Sequence, residues 1–226
     1  MYMVAAGKGG VGKSTISMLI AMQLAAKSHK VGILDADIYG PSIPTIMRAE
    51  DEESSIENGK FQPLLMDGIK VMSIGFLVAK QNALAWRGPM LTKSLNQLLF
   101  MTNWGDLDYL IIDMPPGTGD VHLSISKLCE IDGVIIVTTP DEIAKRDVER
   151  AMNLYKKIGI KITGIVENMS YIKTENSTIF PFGTSSLDEL ADKYGTEKIA
   201  TLPLIPCLGN NKNFSKMQDL QINFEF

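Results

Sequence analysis

The stretch Gly7-Lys8-Gly9-Gly10-Val11-Gly12-Lys13-Ser14-Thr15 lies between an apolar run, residues 2–6, and a segment of helical periodicity, residues 16–27. Its spacing is G-x-x-x-x-G-K-S, the complete pattern of a phosphate-binding loop between a strand and a helix. The glycines let backbone N–H groups turn inward around a polyphosphate, and the positive end of the following helix faces the same anion. The sequence therefore predicts a nucleotide-binding loop made of Gly7, Lys8, Gly9, Gly10, Val11, Gly12, Lys13, Ser14 and Thr15.

Two lysines and a serine of this loop have predicted roles. Lys13 would reach the β- and γ-phosphates of the nucleotide, and the hydroxyl of Ser14 would ligate Mg²⁺. Lys8 is a second lysine, placed early in the loop. From the residues alone, Lys8 is either a further cation for the phosphates or a solvated loop lysine.

Length and composition favour one large α/β domain. The chain has 226 residues, of which 45% are hydrophobic and 21% charged, enough for a substantial core. The net charge is −4 with both signs interspersed, so we expect neither a nucleic-acid partner nor a polybasic membrane patch. No apolar run is long enough to cross a bilayer and no signal peptide is visible before Gly7, so we expect a cytoplasmic protein.

The cysteines predict no metal or disulfide framework. Cys129 and Cys207 are far apart and form no C-x-x-C, so neither a disulfide pattern nor a self-contained metal site follows from them. Cys129 is interpreted as a small packed hydrophobe.

Apolar segments of strand length alternate with segments of helical period along most of the chain. This alternation predicts a doubly wound α/β fold whose mostly parallel sheet carries helices on both faces, with the ligand at the carboxyl ends of the strands. The predicted domain covers residues 1–208. Residues 209–226 form a tail with no clear cap or periodicity, and its structure stays open. The predicted strands are 31–37, 69–74, 109–113, 133–140, 161–168 and 198–202, and the predicted helices are 91–101, 120–130, 142–158 and 187–194.

Two carboxylates end the second predicted strand. Asp35 and Asp37 are one residue apart, so in extended backbone both lie on the same side of the chain. The functional interpretation places one of them in the Mg²⁺ shell and assigns Asp37 to orienting a water molecule, whereas the alternative is a helix cap or turn. The following loop, residues 38–44, is rich in turn residues and is a candidate nucleotide-sensing switch.

A later apolar strand, residues 109–113, ends in Asp113 and is followed by Met114-Pro115-Pro116-Gly117-Thr118-Gly119-Asp120. In phosphate-loop proteins such an aspartate holds Mg²⁺, usually through a metal-bound water. We therefore predict Asp113 and Ser14 as the metal-binding residues. The proline- and glycine-rich segment after Asp113 is either a switch near the γ-phosphate or a plain turn.

Two further residues are candidate nucleotide contacts. Asn168 ends a later strand and would offer its amide to a purine edge, unless it is only a turn former. Arg87, next to Trp86, is either a stacked structural cation or a charge that faces the nucleotide or a partner. These residues alone do not separate the alternatives.

The motifs together resemble the Mrp/Nbp35 group, also described as ApbC-like, of the deviant Walker A, MinD/NifH-like P-loop ATPases. The resemblance runs from about residue 3 to residue 206. It implies a homodimer that closes around two ATP molecules, with Lys8 reaching the partner subunit's phosphates. It also implies Asp37 in the first switch, Asp113 at Mg²⁺ and Asn168 at adenine. The matching stretches are residues 7–15, 34–42, 86–90, 113–120 and 166–170.

Members of this group are described as iron–sulfur cluster carriers or scaffolds that bind a bridging cluster through a C-x-x-C just beyond E-N-M-S. Here the two corresponding positions are Thr174 and Ser177. A hydroxyl is not the soft thiolate that such a cluster favours, and Cys207 lies outside the motif. We therefore assign no iron–sulfur ligand, and a cluster follows from the resemblance only.

The sequence thus predicts a slow ATPase that uses Lys8, Lys13 and Asp37 in catalysis and takes ATP and Mg²⁺. Cluster scaffold or recipient proteins are the partners that the resemblance implies. The alternative is a nucleotide-switched positioning or adaptor module of the MinD/ParA kind without cluster chemistry. A nitrogenase-reductase-like electron donor is disfavoured because residues 121–124 contain no cysteine.

Overall fold

The computed structural model describes residues 1–77, 89–183, 187–205, 220 and 222–223, with the backbone alone described for residues 89–91. Trp86, Arg87 and Cys207 lie outside the described residues, and so do the expectations that rest on them. No helix in the described ranges is long and apolar enough to span a membrane.

The described residues form a nine-stranded, mostly parallel sheet. Its path is β10-β9-β8-β1-β7-β2-β6-β5, and β11 also pairs with β9. All pairings between the central strands are parallel, whereas β5 and β10 pair antiparallel with β6 and β9. The nine strands are β1 (Tyr2–Ala5), β2 (Val31–Asp35), β5 (Leu64–Met66), β6 (Ile69–Ser73), β7 (Tyr109–Asp113), β8 (Gly133–Thr138), β9 (Ile162–Lys173), β10 (Thr178–Ile179) and β11 (Lys198–Pro203).

Helices cover both faces of this sheet. Successive residues of a strand point to opposite faces, so in β1 the side chain of Val4 belongs to the core cluster that includes the helix Lys13–Ala26, while Met3 and Ala5 belong to the second cluster, which includes residues of the helices from Pro89 onward. The fold class is therefore the doubly wound α/β class predicted from the sequence. The described helices are α1 (Lys13–Ala26), α2 (Ile43–Ile46), α3 (Pro89–Phe100), α4 (Asp120–Leu128), α5 (Glu142–Lys157) and α6 (Leu187–Tyr194).

The acidic segment that follows α2, residues 50–55, lies at the surface. Its side chains are mostly exposed, and it leads into a small hairpin of β3 (Ile56–Glu57) and β4 (Lys60–Phe61). Asn58 and Gly59 connect these strands with φ values of 51° and 75°, as a tight primed turn requires.

The structure differs from the sequence prediction mainly in β9. We predict a strand that ends at Asn168, but β9 continues to Lys173 and turns back into β10. In the predicted tail, Leu220 and Ile222 pack against the cluster that contains α1, and the N–H of Asn223 donates to the carbonyl of Ile199 at 3.0 Å.

Candidate nucleotide site

The glycine-rich loop joins β1 to α1 at the carboxyl edge of the sheet. Gly10 and Gly12 have φ values of 82° and 87°, in the left-handed region that glycine adopts without strain. Gly12 is the residue before α1, and its carbonyl accepts the first helical hydrogen bond, from the N–H of Ile16 at 3.0 Å. The N-terminal N–H groups of α1 therefore face the concave side of the loop, where an anion is favoured.

Close packing also requires glycine in this loop. A Cβ on Gly7 would lie 2.3 Å from the carbonyl carbon of Asp147 in α5. A Cβ on Gly12 would lie 2.3 Å from Nδ2 of Asn168. The loop is thus fitted between α5 on one side and the middle of β9 on the other.

Lys13 is paired with Asp113 below the loop. The Nζ of Lys13 lies 2.8 Å from Oδ1 of Asp113 and donates to Oγ of Ser14 at 3.2 Å. The Lys13 side chain is 8% exposed and that of Asp113 is fully buried. The structure thus brings together the loop lysine, the loop serine and the acid that ends β7.

The environment of Asp113 fits a magnesium ion. Its Oδ2 is buried and has no hydrogen-bond partner among the described residues, so this oxygen is available to a further ligand. Carboxylate and hydroxyl oxygens are the donors that Mg²⁺ prefers, and Mg²⁺ sites commonly combine one or two protein oxygens with phosphates and water. Asp113 and Ser14 therefore form a chemically suitable set.

The two carboxylates at the end of β2 have different environments. Asp35 is fully buried, and its oxygens accept from the N–H groups of Asp37 and Ile43, both at 3.1 Å, and from Ser73 Oγ at 3.3 Å. Burial, together with the nearby charge of Asp113, raises the pKa of Asp35 to about 7. Both oxygens of Asp35 thus accept hydrogen bonds from the segment after β2, and this residue anchors that loop.

Asp37, in contrast, faces the cavity. Its Oδ1 accepts from the N–H of Gly40 at 3.2 Å, and burial raises its pKa against the opposing effect of Lys13. The cavity, of about 260 Å³, is lined by the loop and by residues of both predicted switch segments. Its lining residues are Lys8, Gly9, Gly10, Gly12, Lys13, Ser14, Thr15, Asp37, Ser42, Ile46 and Pro116.

Lys8 lines the cavity and also forms an ion pair with a carboxylate outside the loop. Its Nζ lies 3.0 and 3.1 Å from the two carboxylate oxygens of Asp141, the residue that caps α5 by accepting from the N–H of Ala144. Partial burial of Asp141 is outweighed by hydrogen bonds from Thr139, Ala144 and Lys8, which lower its pKa to about 2. Lys8 is 34% exposed, so its ammonium stays accessible at the rim.

Asn168 lies behind the loop. Its Nδ2 donates to the carbonyl of Val11 at 2.9 Å, and its side chain is buried. Neither Asn168 nor Val11 lines the cavity, nor do Gly7 and Asp113. In this arrangement Asn168 holds the loop in place, while its amide keeps capacity for one more donor and two acceptor contacts.

Ser17 and Asp141 are site residues that the sequence interpretation missed. Ser17 Oγ lies 2.5 Å from Oδ1 of Asp113, and both carboxylate oxygens of Asp141 accept hydrogen bonds from Lys8. A partial signal for Ser17 was available, because Lys13 and Ser17 are four residues apart and lie on one face of a helix. Nothing local marks Asp141, which is 133 residues from Lys8 in the chain.

The positions of the family's cysteines lie at the tip of the β9–β10 hairpin. Thr174 and Ser177 are exposed and bonded to each other, with the hydroxyl oxygens 2.9 Å apart and the N–H of Ser177 donating to Thr174 Oγ1 at 3.0 Å. Cys129 packs at the end of α4, where burial raises the pKa of its thiol. Among the described residues, no group of three or more His, Cys, Asp or Glu side chains is arranged to hold a metal ion.

Comparison with known proteins identifies similar chains. The family model for NUBPL iron-transfer P-loop NTPases, of the ParA class, matches residues 1–222. An iron-sulfur cluster carrier protein from Rickettsia felis is 51% identical over 206 residues, which are 91% of this chain and 62% of that protein. The chain thus spans less than two thirds of the length of this relative, and 55% of that of the carrier protein from Escherichia coli K12.

Solved structures show the same fold. A nucleotide-binding protein from Archaeoglobus fulgidus, in complex with ADP, has a TM-score of 0.79 and 36% identity over 96% of this chain and 85% of its own. The cell division ATPase MinD from Pyrococcus furiosus has a TM-score of 0.65 at 18% identity, covering 97% of this chain and 94% of its own.

Proposed function

The chain belongs to the family of NUBPL iron-transfer P-loop NTPases, and on that basis we propose that it binds ATP with Mg²⁺ and hydrolyses it slowly to ADP and phosphate. The observation that carries this proposal is the buried Lys13–Asp113 pair beneath a complete phosphate loop. The similar protein from A. fulgidus, which was solved with ADP, supports it.

The loop and the lysines supply most of the proposed catalysis. The N–H groups of the loop hold the phosphates, and Lys13 leaves Asp113 to neutralise charge on the β- and γ-phosphates. Asp37, at the cavity wall, orients the attacking water. Because the loop N–H groups, Lys13 and Asp37 act by holding and neutralising the reacting groups, electrostatic stabilisation and positioning account for the proposed rate.

Ser14 and Asp113 would hold the Mg²⁺ of the nucleotide complex. When bound, this ion neutralises phosphate charge and orients the phosphate oxygens. Asp113 Oδ2, which has no partner among the described residues, is the oxygen suited to this contact. Asn168 would contact adenine through the amide atoms not used on Val11.

We propose a homodimer in which Lys8 acts on the nucleotide of the partner subunit. In this chain the side chain of Lys8 lines the cavity, and its Nζ is held by the carboxylate of Asp141. Two apolar side chains close to these groups in the chain are strongly exposed: Tyr39, two residues after Asp37, is 68% exposed, and Ile143, two residues after Asp141, is 72% exposed. Burial of these side chains by a second copy would favour association.

The proposed clients are proteins that receive or assemble iron–sulfur clusters, because relatives carry the name iron-sulfur cluster carrier protein.

The second candidate function is a nucleotide-switched adaptor without cluster chemistry. Thr174 and Ser177 favour this candidate, since paired hydroxyls do not replace thiolates as ligands of a cluster. Anaerobic reconstitution with iron and sulfide decides between them. Visible absorbance with bound iron supports the carrier, and ATP hydrolysis without retained iron supports the adaptor.

The test of the ATPase proposal is phosphate release by the purified chain and by Lys13→Ala. We expect turnover in the parent chain and none in the variant. The exposed Lys27 offers a matched control, because Lys27→Ala removes the same charge at the far end of α1. Phosphate release that is equal in all three proteins would refute the proposal.

A further inference from the structure

Asp113 receives two donors on the same oxygen. Oδ1 lies 2.8 Å from Lys13 Nζ and 2.5 Å from Ser17 Oγ, and both Ser17 and Asp113 are 0% exposed. Lys13 and Ser17 are one helical turn apart on α1, so a single rigid helix presents both donors to the end of β7. Oδ2 is left without a partner among the described residues.

The hydroxyl of Ser17 has two acceptors within reach. Besides Asp113 Oδ1, its Oγ lies 3.1 Å from the carbonyl of Lys13, the usual back-bond of a helical serine. A hydroxyl has one proton, and short O–H···O⁻ contacts of about 2.5–2.7 Å to a carboxylate are the stronger class of hydrogen bond. The proton of Ser17 therefore goes mainly to Asp113.

Binding of nucleotide changes this arrangement, if the proposed function holds. Once Lys13 has moved to the phosphates, Asp113 keeps a buried negative charge and loses its cation. A buried carboxylate without a counter-charge is strongly disfavoured, so the site then requires a new cation. The Ser17 hydroxyl is the donor that remains on Oδ1 among the described contacts.

We propose that Ser17 is a positioning residue for Asp113. Its hydroxyl keeps Oδ1 turned toward α1 after Lys13 has left, so that Oδ2 is the oxygen presented to Mg²⁺ and its water shell. This proposal rests on the proposed function and adds a specific consequence. Ser17 should matter for the part of nucleotide affinity that depends on Mg²⁺ and not for the part that the loop provides alone.

The test measures the dissociation constant of a fluorescent ADP analogue with Mg²⁺ and with excess EDTA. The ratio of interest is the dissociation constant in EDTA divided by that with Mg²⁺. For Ser17→Ala we expect this ratio to fall by about tenfold, the order expected for losing a hydrogen bond to a charged group. The constant in EDTA should stay close to that of the parent chain. Ser17→Thr keeps the hydroxyl and should restore the ratio. Mn²⁺ binding to the ADP complex, followed by electron paramagnetic resonance, should weaken in Ser17→Ala and recover in Ser17→Thr.

Ser94→Ala is the matched control, because Ser94 is also a buried helical serine but lines a different cavity. It should leave the ratio unchanged. A parent-like ratio in Ser17→Ala, or equal weakening with and without Mg²⁺, would overturn the role of Ser17. If Ser17→Ala does not fold, Ser17→Cys replaces it, because a thiol is only a weak hydrogen-bond donor. A ratio in Ser17→Cys equal to that of the parent chain would likewise overturn the role of Ser17. Failure of the parent chain to bind nucleotide would instead overturn the proposed function.

Discussion

Lys8 forms an ion pair with both carboxylate oxygens of Asp141, which lie 3.0 and 3.1 Å from its Nζ. This contact joins the start of the phosphate loop to the N-terminal end of α5, where Asp141 also accepts from Ala144 N–H at 2.8 Å. Both side chains are partly exposed, so the pair is accessible at the rim of the cavity. In a single chain, Lys8 is thus held by its own α5.

We predict that Asp141→Asn lowers the chain concentration at which ATP hydrolysis is half-maximal. Asparagine caps a helix as well as aspartate, so α5 keeps its cap while Lys8 loses the carboxylate that holds it. A partly exposed ion pair contributes about 0.2–1 kcal/mol, so the shift should be about 1.4- to fivefold.

Phosphate release measured over a range of protein concentrations checks this prediction. The control is Asp188→Asn, which removes another partly exposed partner of a lysine, Lys198, away from the loop. The half-maximal concentration should be unchanged in the control. A value for Asp141→Asn equal to that of the parent chain would contradict the holding role of Asp141.

The Lys13–Asp113 pair predicts strong coupling in stability. Lys13→Met leaves a buried carboxylate without its cation, and breaking such a pair costs about 3–5 kcal/mol of the free energy of unfolding. Adding Asp113→Asn removes the orphaned charge and should restore much of that loss, although ATP hydrolysis should stay absent. Urea unfolding of both single variants and the double variant measures the coupling. Additive effects of the two changes would show that the pair is not coupled.

The glycines of the loop predict a steric contrast. Gly12→Ala places a Cβ 2.3 Å from Asn168 Nδ2 at a φ of 87°, so both the contact and the backbone are strained. Gly9→Ala meets nothing within 4 Å, and the φ of Gly9 is not in the left-handed region. Thermal unfolding should show a clear loss for Gly12→Ala, by about 1–3 kcal/mol, and a small change for Gly9→Ala. Similar losses for both would reject the assigned packing.

His122 predicts a pH dependence of stability. Its Nδ1 lies 2.6 Å from the hydroxyl of Tyr155 inside the core, and burial lowers its pKa from 6.5 to about 4. Between these values the unfolded chain binds a proton that the folded chain excludes, so stability is lost as pH falls from about 6.5 toward 4. The loss approaches about 1.4 kcal/mol per pH unit in the middle of this range.

Urea unfolding at pH 7.5, 6 and 5 tests this in the parent chain and in His122→Leu. The variant is less stable at pH 7.5 because it loses the bond to Tyr155, but its stability should vary less with pH. The difference between the two proteins isolates the histidine from other titrating groups. A parallel pH dependence in both would show that His122 does not titrate as inferred.

Local patterns made the central part of the fold predictable. The loop lies between an apolar strand and a periodic helix, and β2 and β7 are apolar runs that each end in an acid. Parallel pairing of β2 with β7 then sets Asp35 beside Asp113. Nearly every predicted strand and helix lies within a few residues of the observed one, because period and burial agree in these segments.

Long-range pairing was not predictable in the same way. β9 extends to Lys173 because its second half pairs with β10 and β11, and residues 169–173 alone contain no signal of this partnership. Asp141 and Ser17 meet Lys8 and Asp113 only through the packing of distant elements, 133 and 96 residues apart. The hydrogen bond from Asn168 to the carbonyl of Val11 was not predicted for the same reason.

The most direct test of the account is complementation between two inactive variants, Lys8→Ala and Asp37→Ala. If Lys8 serves the partner's nucleotide, a mixed dimer contains one complete site, built from the loop and Asp37 of the first variant and Lys8 of the second. An equimolar mixture should recover about a quarter of the parent rate, since half of the dimers are mixed and one of their two sites is complete. A mixture as inactive as its components would contradict the proposal that Lys8 acts across a dimer.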